Sequence, residues 1–406
     1  MKYQAIVLAG GESSRFYPFD DIHKGFFTLA GKRIIERTIE SIKKTSVAEI
    51  ILVLGKKNFA EEKRVCSDSK ILKDIKITCQ EKPLGMADAI LAAQEFINND
   101  FFVVNVQHFT FNNFYEDFIE KHERAQNVAT VGLVETENPQ KYGVAVLSGQ
   151  KLVGVVEKPE LGKEPSNLRL VGTYLFSPKF LEELRNVKHS EYSLEVALDI
   201  AGKTGRAGYI TLDGGIPTLK YPWDILDLKN LVLEKMKFDI SSSAKISQTA
   251  IIRGKNVYIG KNAQIFDFSI IEGPAFIGDG ALVGCYSQVR GGTVLEANAE
   301  IQRYVDIKNS HIGESTHIHS GFIGDSVIGE NVKVGANFIV ANKRLDRGQI
   351  CVGVKGEKIN TQKTSLGVFI GNNTHVGINV SAMPGSVVSG ESIVFPGTVI
   401  KGKIPV

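Results

Sequence analysis

Leu8 to Lys24, reading LAGGESSRFYPFDDIHK, holds the residues of this 406-residue chain best suited to gripping a polyanion. Ala9, Gly10 and Gly11 carry little or no side chain, so the backbone there can approach an anion closely. Ser13 and Ser14 offer hydroxyl donors, Arg15 a planar fork for phosphate oxygens, and Lys24 a point charge beyond the turn at Pro18. Two glycines after a strand are also what any tight turn needs, but such a turn needs neither cation. Glycines and spaced cations in this order point to a bound nucleoside triphosphate, with Leu8, Ala9, Gly10 and Gly11 supplying nucleotide-contacting backbone.

The elements that must position this loop are legible around it. Ala5-Ile6-Val7-Leu8 suits a buried parallel strand, IIERTIESIKKT is an amphipathic helix, EIILVLG a strand, MADAILAAQEFI a helix and FFVVNV a second strand. Alternating strands and helices predict an α/β domain, whose ligands sit beyond the carboxyl ends of the strands. Polar residues just after strands are therefore the candidates: Gln80 and Gly85, then Asn105 and Gln107, then Gly143, Glu157 and Lys158, and finally Asp224 in LKYPWDILDL. Each has a structural competitor. Pro83 and Gly85 are turn residues at a helix entry, EKP suits a hairpin end, and Trp223 and Asp224 suit a core anchor and a helix N-cap.

Composition excludes other classes. Lys+Arg 48 against Asp+Glu 45 gives +3, with no overall basic field to attract nucleic acid. No run approaches the roughly 18 apolar residues of a membrane span, and a cytoplasmic protein is expected. Cys66, Cys79, Cys285 and Cys351 are far apart, without the paired spacing of a zinc site or a disulfide framework.

At its loop the sequence resembles the sugar nucleotidyltransferases, whose signature is a glycine-rich loop, a hydroxyl pair, Arg, Pro, and a Lys before a Gly-Lys turn. Here that reads GGESSRFYP, HK and AGK. The resemblance implies a Rossmann-like fold, with catalytic Arg15 and Lys24 on the leaving pyrophosphate. It implies that Gln80 and Gly85 read the nucleobase and that Gly143, Glu157 and Lys158 hold the sugar-1-phosphate. It also implies Mg2+, held in the family by an Asp where this chain has Gln107. An amide contributes no negative charge to a hard cation, so a weakened metal site and impaired nucleotidyl transfer are expected. Asp224 is the candidate second metal ligand. Leu170 stands where the family often has a sugar-binding Asn.

Near residue 238 the sequence changes character. Ile259, Ile265, Ile271, Ile277, Val283, Val289, Leu295, Ile301 and Ile307 fall at strict six-residue spacing, and Ile370, Val376, Ala382, Val388, Val394 and Ile400 resume it. An aliphatic residue every six, often followed by glycine, marks a parallel β-helix whose coils stack. The organisation expected is an α/β domain over 1–237 and a β-helix over 238–406, with an inserted loop at about 341–369.

The β-helix resembles the left-handed hexapeptide acyltransferases, and both halves together resemble the bifunctional N-acetylglucosamine-1-phosphate uridylyltransferase and glucosamine-1-phosphate acetyltransferase family, in its archaeal form. That resemblance implies a homotrimer with acetyl-CoA as cosubstrate. It assigns Arg290, Lys308 and Asn342 to the sugar, Ala336 to acetyl-CoA and His319 as general base. Phe322 replaces a family Tyr, Gly291 a family Pro, and the run before His319 is one residue short. Because Ile318 takes an inward position, His317 and His319 should point outward. Rival readings stay open: an acyltransferase whose first half only binds nucleotide, a trimeric zinc carbonic anhydrase using His311, His317 and His319, or a pure scaffold.

Overall fold

The computed structural model describes residues 3–149, 151–212 and 218–404. Two compact units emerge, one of Met1–Glu12 with Ile34–Pro217, the other of Ser13–Arg33 with Thr218–Val406. The first β-helix strand is Asp239–Ile240, at the sequence boundary. The Ser13–Arg33 segment and the helix Asp224–Lys235, which precede that boundary, nevertheless cluster with the β-helix.

The first unit is an α/β sheet of the Rossmann-like class. Its strands in chain order are β1 (Gln4–Ala9), β2 (Glu49–Gly55), β3 (Lys76–Gln80), β4 (Phe101–Asn105), β5 (Ala129–Glu135), β6 (Gly143–Ser148), β7 (Lys151–Glu157), β8 (Leu168–Phe176) and β9 (Ala207–Thr211). The spatial order is β9-β5-β8-β4-β1-β2-β3, with β6 pairing to β8 and β7 off this path. All six residues of β1 are buried, and it runs parallel to both β4 and β2. A strand covered on both faces must be apolar throughout, which is why QAIVLA reads as a run rather than an alternation. Helix α1 (Ile34–Lys43) makes one crossover, and α2 (Met86–Leu91) with the short 3-10 turn Gln94–Phe96 makes another. β8 lies antiparallel between β4 and β5, so only part of the sheet is parallel.

The second unit stacks three parallel sheets of nine, eight and eight strands into a prism, the left-handed parallel β-helix class. The period read from the sequence is its core: Ile259, Ile277 and Leu295 align on one sheet, Ile265, Val283 and Ile301 on the next, and Ile271, Val289 and Ile307 on the third. Each of these nine is at most 2% exposed, and full burial of such a side chain is worth roughly 1.5–3 kcal/mol. The spacing then shortens, with Ile312, Ile318, Ile323 and Ile328 as the inward residues, so the coils carrying His317 to Asp325 are smaller than those below. Corners turn through left-handed residues, many of them Asn, which adopts that region at less cost than most side chains. Three corner aromatics, Phe268, Tyr286 and Tyr304, stack in a ladder at 5.1 and 5.6 Å. The insertion after Val340 is ordered around an antiparallel hairpin, Cys351–Val354 with Glu357–Asn360. Lys363 Nζ ties it to Asp227 of α3 (Asp224–Lys235) at 2.8 Å.

Candidate functional site

Around β1 the first unit brings together the turn the sequence singled out. Leu8 and Ala9 end the strand, Gly10 is buried and Gly11 exposed. Gly10 is glycine for a steric reason, since a Cβ there would lie 2.2 Å from Gln80 Oε1. Gln80 is 4% exposed and its amide nitrogen donates to Gly85 O at 3.0 Å and Asp88 Oδ2 at 2.9 Å. Its donors thus tie β3 to the entry of α2, which sequence reasoning, treating Gln80 as a base reader, did not foresee. Gly85 has φ +97° and would strike Glu191 O with any Cβ.

At the end of β4, Asn105 fills the space left by Gly172, and Gln107 is half-buried. His108 beside it is fully buried, its Nδ1 2.5 Å from Thr173 Oγ1 and its Nε2 without a hydrogen-bond partner. Burial, and then the charge of Arg169, push its pKa down to about 3, so it is neutral.

Gly143 and Glu157 face each other across the β6–β7 hairpin, and a Cβ at Gly143 would touch Glu157 Oε2 and Leu170. Lys158, at φ +47°, donates to Tyr192 OH at 2.9 Å and lies 3.9 Å from Glu157 Oε1. The three residues read as sugar-binding therefore do meet. Glu195 joins them unannounced: its carbon chain comes within 3.7 Å of the Gly143 Cβ position, and its Oε2 is buried without a partner. Burial, with Glu157 adding repulsion, pushes the Glu195 pKa up to about 7. Only its place at the start of the helix Ser193–Lys203 was visible in sequence.

The second unit holds both cations. Ser13 Oγ accepts the Lys24 N–H at 3.0 Å, and Arg15 is exposed. Lys24 is pushed down to about 8 by burial, opposed by the nearby Asp224 carboxylate, with Arg15 and Lys220 lowering it further. Asp224 is 7% exposed at the start of α3, and its Oδ2 accepts the backbone N–H groups of Lys220 at 2.6 Å and Tyr221 at 2.9 Å. Burial nonetheless raises its pKa to about 6. Trp223 is a core anchor, 4% exposed and stacked on Tyr221. Among the described residues no group of three or more His, Cys, Asp or Glu could hold a metal ion. Gln107 is a neutral amide, and one Asp224 oxygen accepts backbone N–H groups.

On the β-helix, His319 is exposed as expected and lines an open groove of about 490 Å³ with His317, Lys333, Ala336, His375 and Ile378. His311 is not with them. It is 2% exposed, packs on Phe27 at 4.9 Å and lines a separate cavity of about 100 Å³ with Lys24 and Glu296, so the three-histidine zinc reading fails. Arg290 forms a bidentate pair with Asp306 at 2.8 and 2.5 Å and lies over the Phe322 ring. Lys308, Phe322 and Asn342 converge above Gly324. His319 follows the strand His317–Ile318 on one sheet, whereas Lys308 and Gly324 belong to the next sheet, so the histidine and the Lys308–Asn342 cluster lie on different faces of the prism.

The model of the nucleotidyl transferase family matches residues 4–213. A bifunctional sugar-1-phosphate nucleotidylyltransferase/acetyltransferase of Sulfurisphaera tokodaii is 32% identical over 98% of this chain and 97% of its own length. The bifunctional protein GlmU of Methanococcus maripaludis is 34% identical over 96% of this chain and 92% of its own. The chain belongs to this bifunctional family. Among solved structures, a UDP-glucose pyrophosphorylase complexed with UDP-glucose overlays with a TM-score of 0.50 at 20% identity, covering 58% of this chain and 100% of that one, a likeness of fold. The family spans both halves, which disposes of the scaffold and carbonic anhydrase readings. No helix among the described residues is long and apolar enough to cross a membrane.

Proposed function

We propose that this enzyme catalyses two transfers in sugar-nucleotide synthesis. In the first, an oxygen of a sugar-1-phosphate attacks the α-phosphorus of a nucleoside triphosphate and expels pyrophosphate. The Gly10–Gly11 turn offers close backbone approach, Arg15 and Lys24 are the cations for the leaving group, and Glu157, Lys158 and Glu195 receive the sugar. Mg2+ is the family's counter-charge in this reaction, and this chain's own donors fit it poorly, so slow turnover is the expectation.

In the second transfer, His319 takes a proton from an amine or hydroxyl of the sugar phosphate as that group attacks the acetyl-CoA thioester. The bond to acetyl carbon forms, the carbon–sulfur bond breaks, and coenzyme A leaves as the thiol. The observation that carries the reading is the groove lined by His319, Lys333 and Ala336 and open to solvent. Lys308 and Asn342 gather on a different face of the prism from His319, and the open groove beside the histidine supports a homotrimer in which a second copy completes each site. Incubation with a panel of sugar-1-phosphates, triphosphates and Mg2+ should release pyrophosphate, and amino-sugar phosphates with acetyl-CoA should release thiol. Absence of both products across the panels would overturn the proposal.

A further inference from the structure

Lys229 is 0% exposed, and neither transfer uses it. Its Nζ donates to Asn309 Oδ1 at 2.6 Å and Asn230 Oδ1 at 2.9 Å. Asn309 in turn donates through Nδ2 to Asp325 Oδ1 at 2.6 Å, and the other oxygen of Asp325 accepts Nδ2 of Asn342 at 2.5 Å. Lys308 Nζ lies 3.9 Å from that same Oδ2. Asp325 is 6% exposed and sits at a left-handed corner with φ +52°. One buried carboxylate thus holds both Asn342 and Lys308, and a buried lysine of α3 holds the asparagine behind it.

We propose that Asp325 and Lys229 are positioning residues of the acyl-acceptor site, together fixing the Asn342 amide so that it presents its oxygen, not its nitrogen, to the acceptor. The inference rests on the reading of Asn342 and Lys308 as acceptor-binding residues. Its logic is directional. Burial pushes the Lys229 pKa down to about 7, and in either protonation state its N–H donors are aimed at Asn230 Oδ1 and Asn309 Oδ1, which holds the Asn309 oxygen inward and its NH2 toward residue 325. A carboxylate has acceptors only, so Asp325 can satisfy two amide NH2 groups at once, and both must point at it. Asn342 is left with its carbonyl as the outward group, an acceptor suited to an N–H or O–H of the incoming nucleophile. A buried lysine is costly unless its donors are met, and this chain keeps one where an apolar residue would pack.

Asp325→Asn keeps the shape and breaks the logic. With Lys229 present, Asn309 cannot rotate, so the new amide must offer it oxygen and therefore faces Asn342 with NH2. Asn342 then flips and presents a donor to the nucleophile. Removing Lys229 as well frees Asn309 to rotate, and Asn342 can return.

The test uses the full-length protein, with thiol release from acetyl-CoA and glucosamine-1-phosphate as the probe acceptor. Asp325→Asn should raise the acceptor KM by about tenfold or more, the scale of one misdirected polar contact, with the acetyl-CoA KM unchanged. The Lys229→Met/Asp325→Asn double variant should recover part of that loss. A role in folding alone would raise both KM values together and make the double variant worse than either single one, and either result overturns the proposal. So does an acceptor KM for Asp325→Asn within about twofold of wild type. If wild-type protein releases no thiol with this acceptor, the reading of the acyl site fails first, and the clamp falls with it.

Discussion

Gln107 stands where the resemblance expects a metal-binding Asp, and the consequence to test is one of charge. Gln107→Asp should strengthen Mg2+ binding and raise pyrophosphate release by about tenfold or more, since a charged ligand stabilises a hard cation that an amide cannot. Brisk wild-type release with little gain in the variant would show that substrate phosphates and Asp224 already suffice. His319 fills no core, so His319→Ala should cut thiol release by about 10²- to 10⁴-fold while leaving the assembly intact. Wild-type acetylation by the variant would remove His319 as the base. His23 offers a pH test. Its Nδ1 accepts the Gly25 N–H, and burial, then Lys24, push its pKa down to about 3. The unfolded chain takes up this proton first, so the contribution of His23 is fully present above the ordinary pKa of about 6.5 and is lost as pH falls toward 3. His23→Asn keeps an acceptor and cannot titrate there. Denaturant unfolding should show the variant gaining on wild type below pH 6.5, and parallel profiles would refute the assignment.

At the scale of elements, the β-helix core predicts its own sensitivity. Ile301 is 0% exposed within a stacked row, so Ile301→Ala should cost about 2–5 kcal/mol by denaturant unfolding. The same change at Ile393, 67% exposed farther along the same sheet, should cost little, and equal costs would contradict the inward–outward alternation. The period was legible because every coil must present the same small aliphatic to the same interior, which writes the fold into the spacing. Where the coils shorten between Ile307 and Ile328 the sequence showed only a missing residue. The turns that absorb it depend on neighbouring coils. Residues 8–24 were read as a phosphate loop, and the tight turn that follows it is held by Glu296, whose two oxygens accept the N–H groups of Ala30 and Gly31 at 2.6 and 2.8 Å. Nothing local in Glu296, over 260 residues away, could have announced that contact.

At the scale of the whole molecule, a second copy is the prediction that follows from separation. His319 and the Lys308–Asn342 pair sit on different faces of one prism and the histidine's groove is open to solvent, so light scattering should find a trimer, and a monomer at working concentration would refute the proposed assembly. The sequence by itself determined the two architectures and their order, because burial on both faces of a strand and repetition in a solenoid each impose a period that side-chain type must obey. It also located Gly143, Glu157 and Lys158, which the β6–β7 hairpin brings together because a short antiparallel pair is a local event. What only the tertiary structure decided is which polar atoms remain available. Gln80 turns its donors inward, Asp224 lends an oxygen to backbone, His311 leaves the other histidines, and Asp325 and Lys229 set the direction of Asn342. Gln80 and Asp224 bond within a few residues, while Lys229, Asn309, Asp325 and Asn342 meet across coils; in both cases a buried polar group takes whatever partner the fold brings to it, which residue type and spacing do not encode.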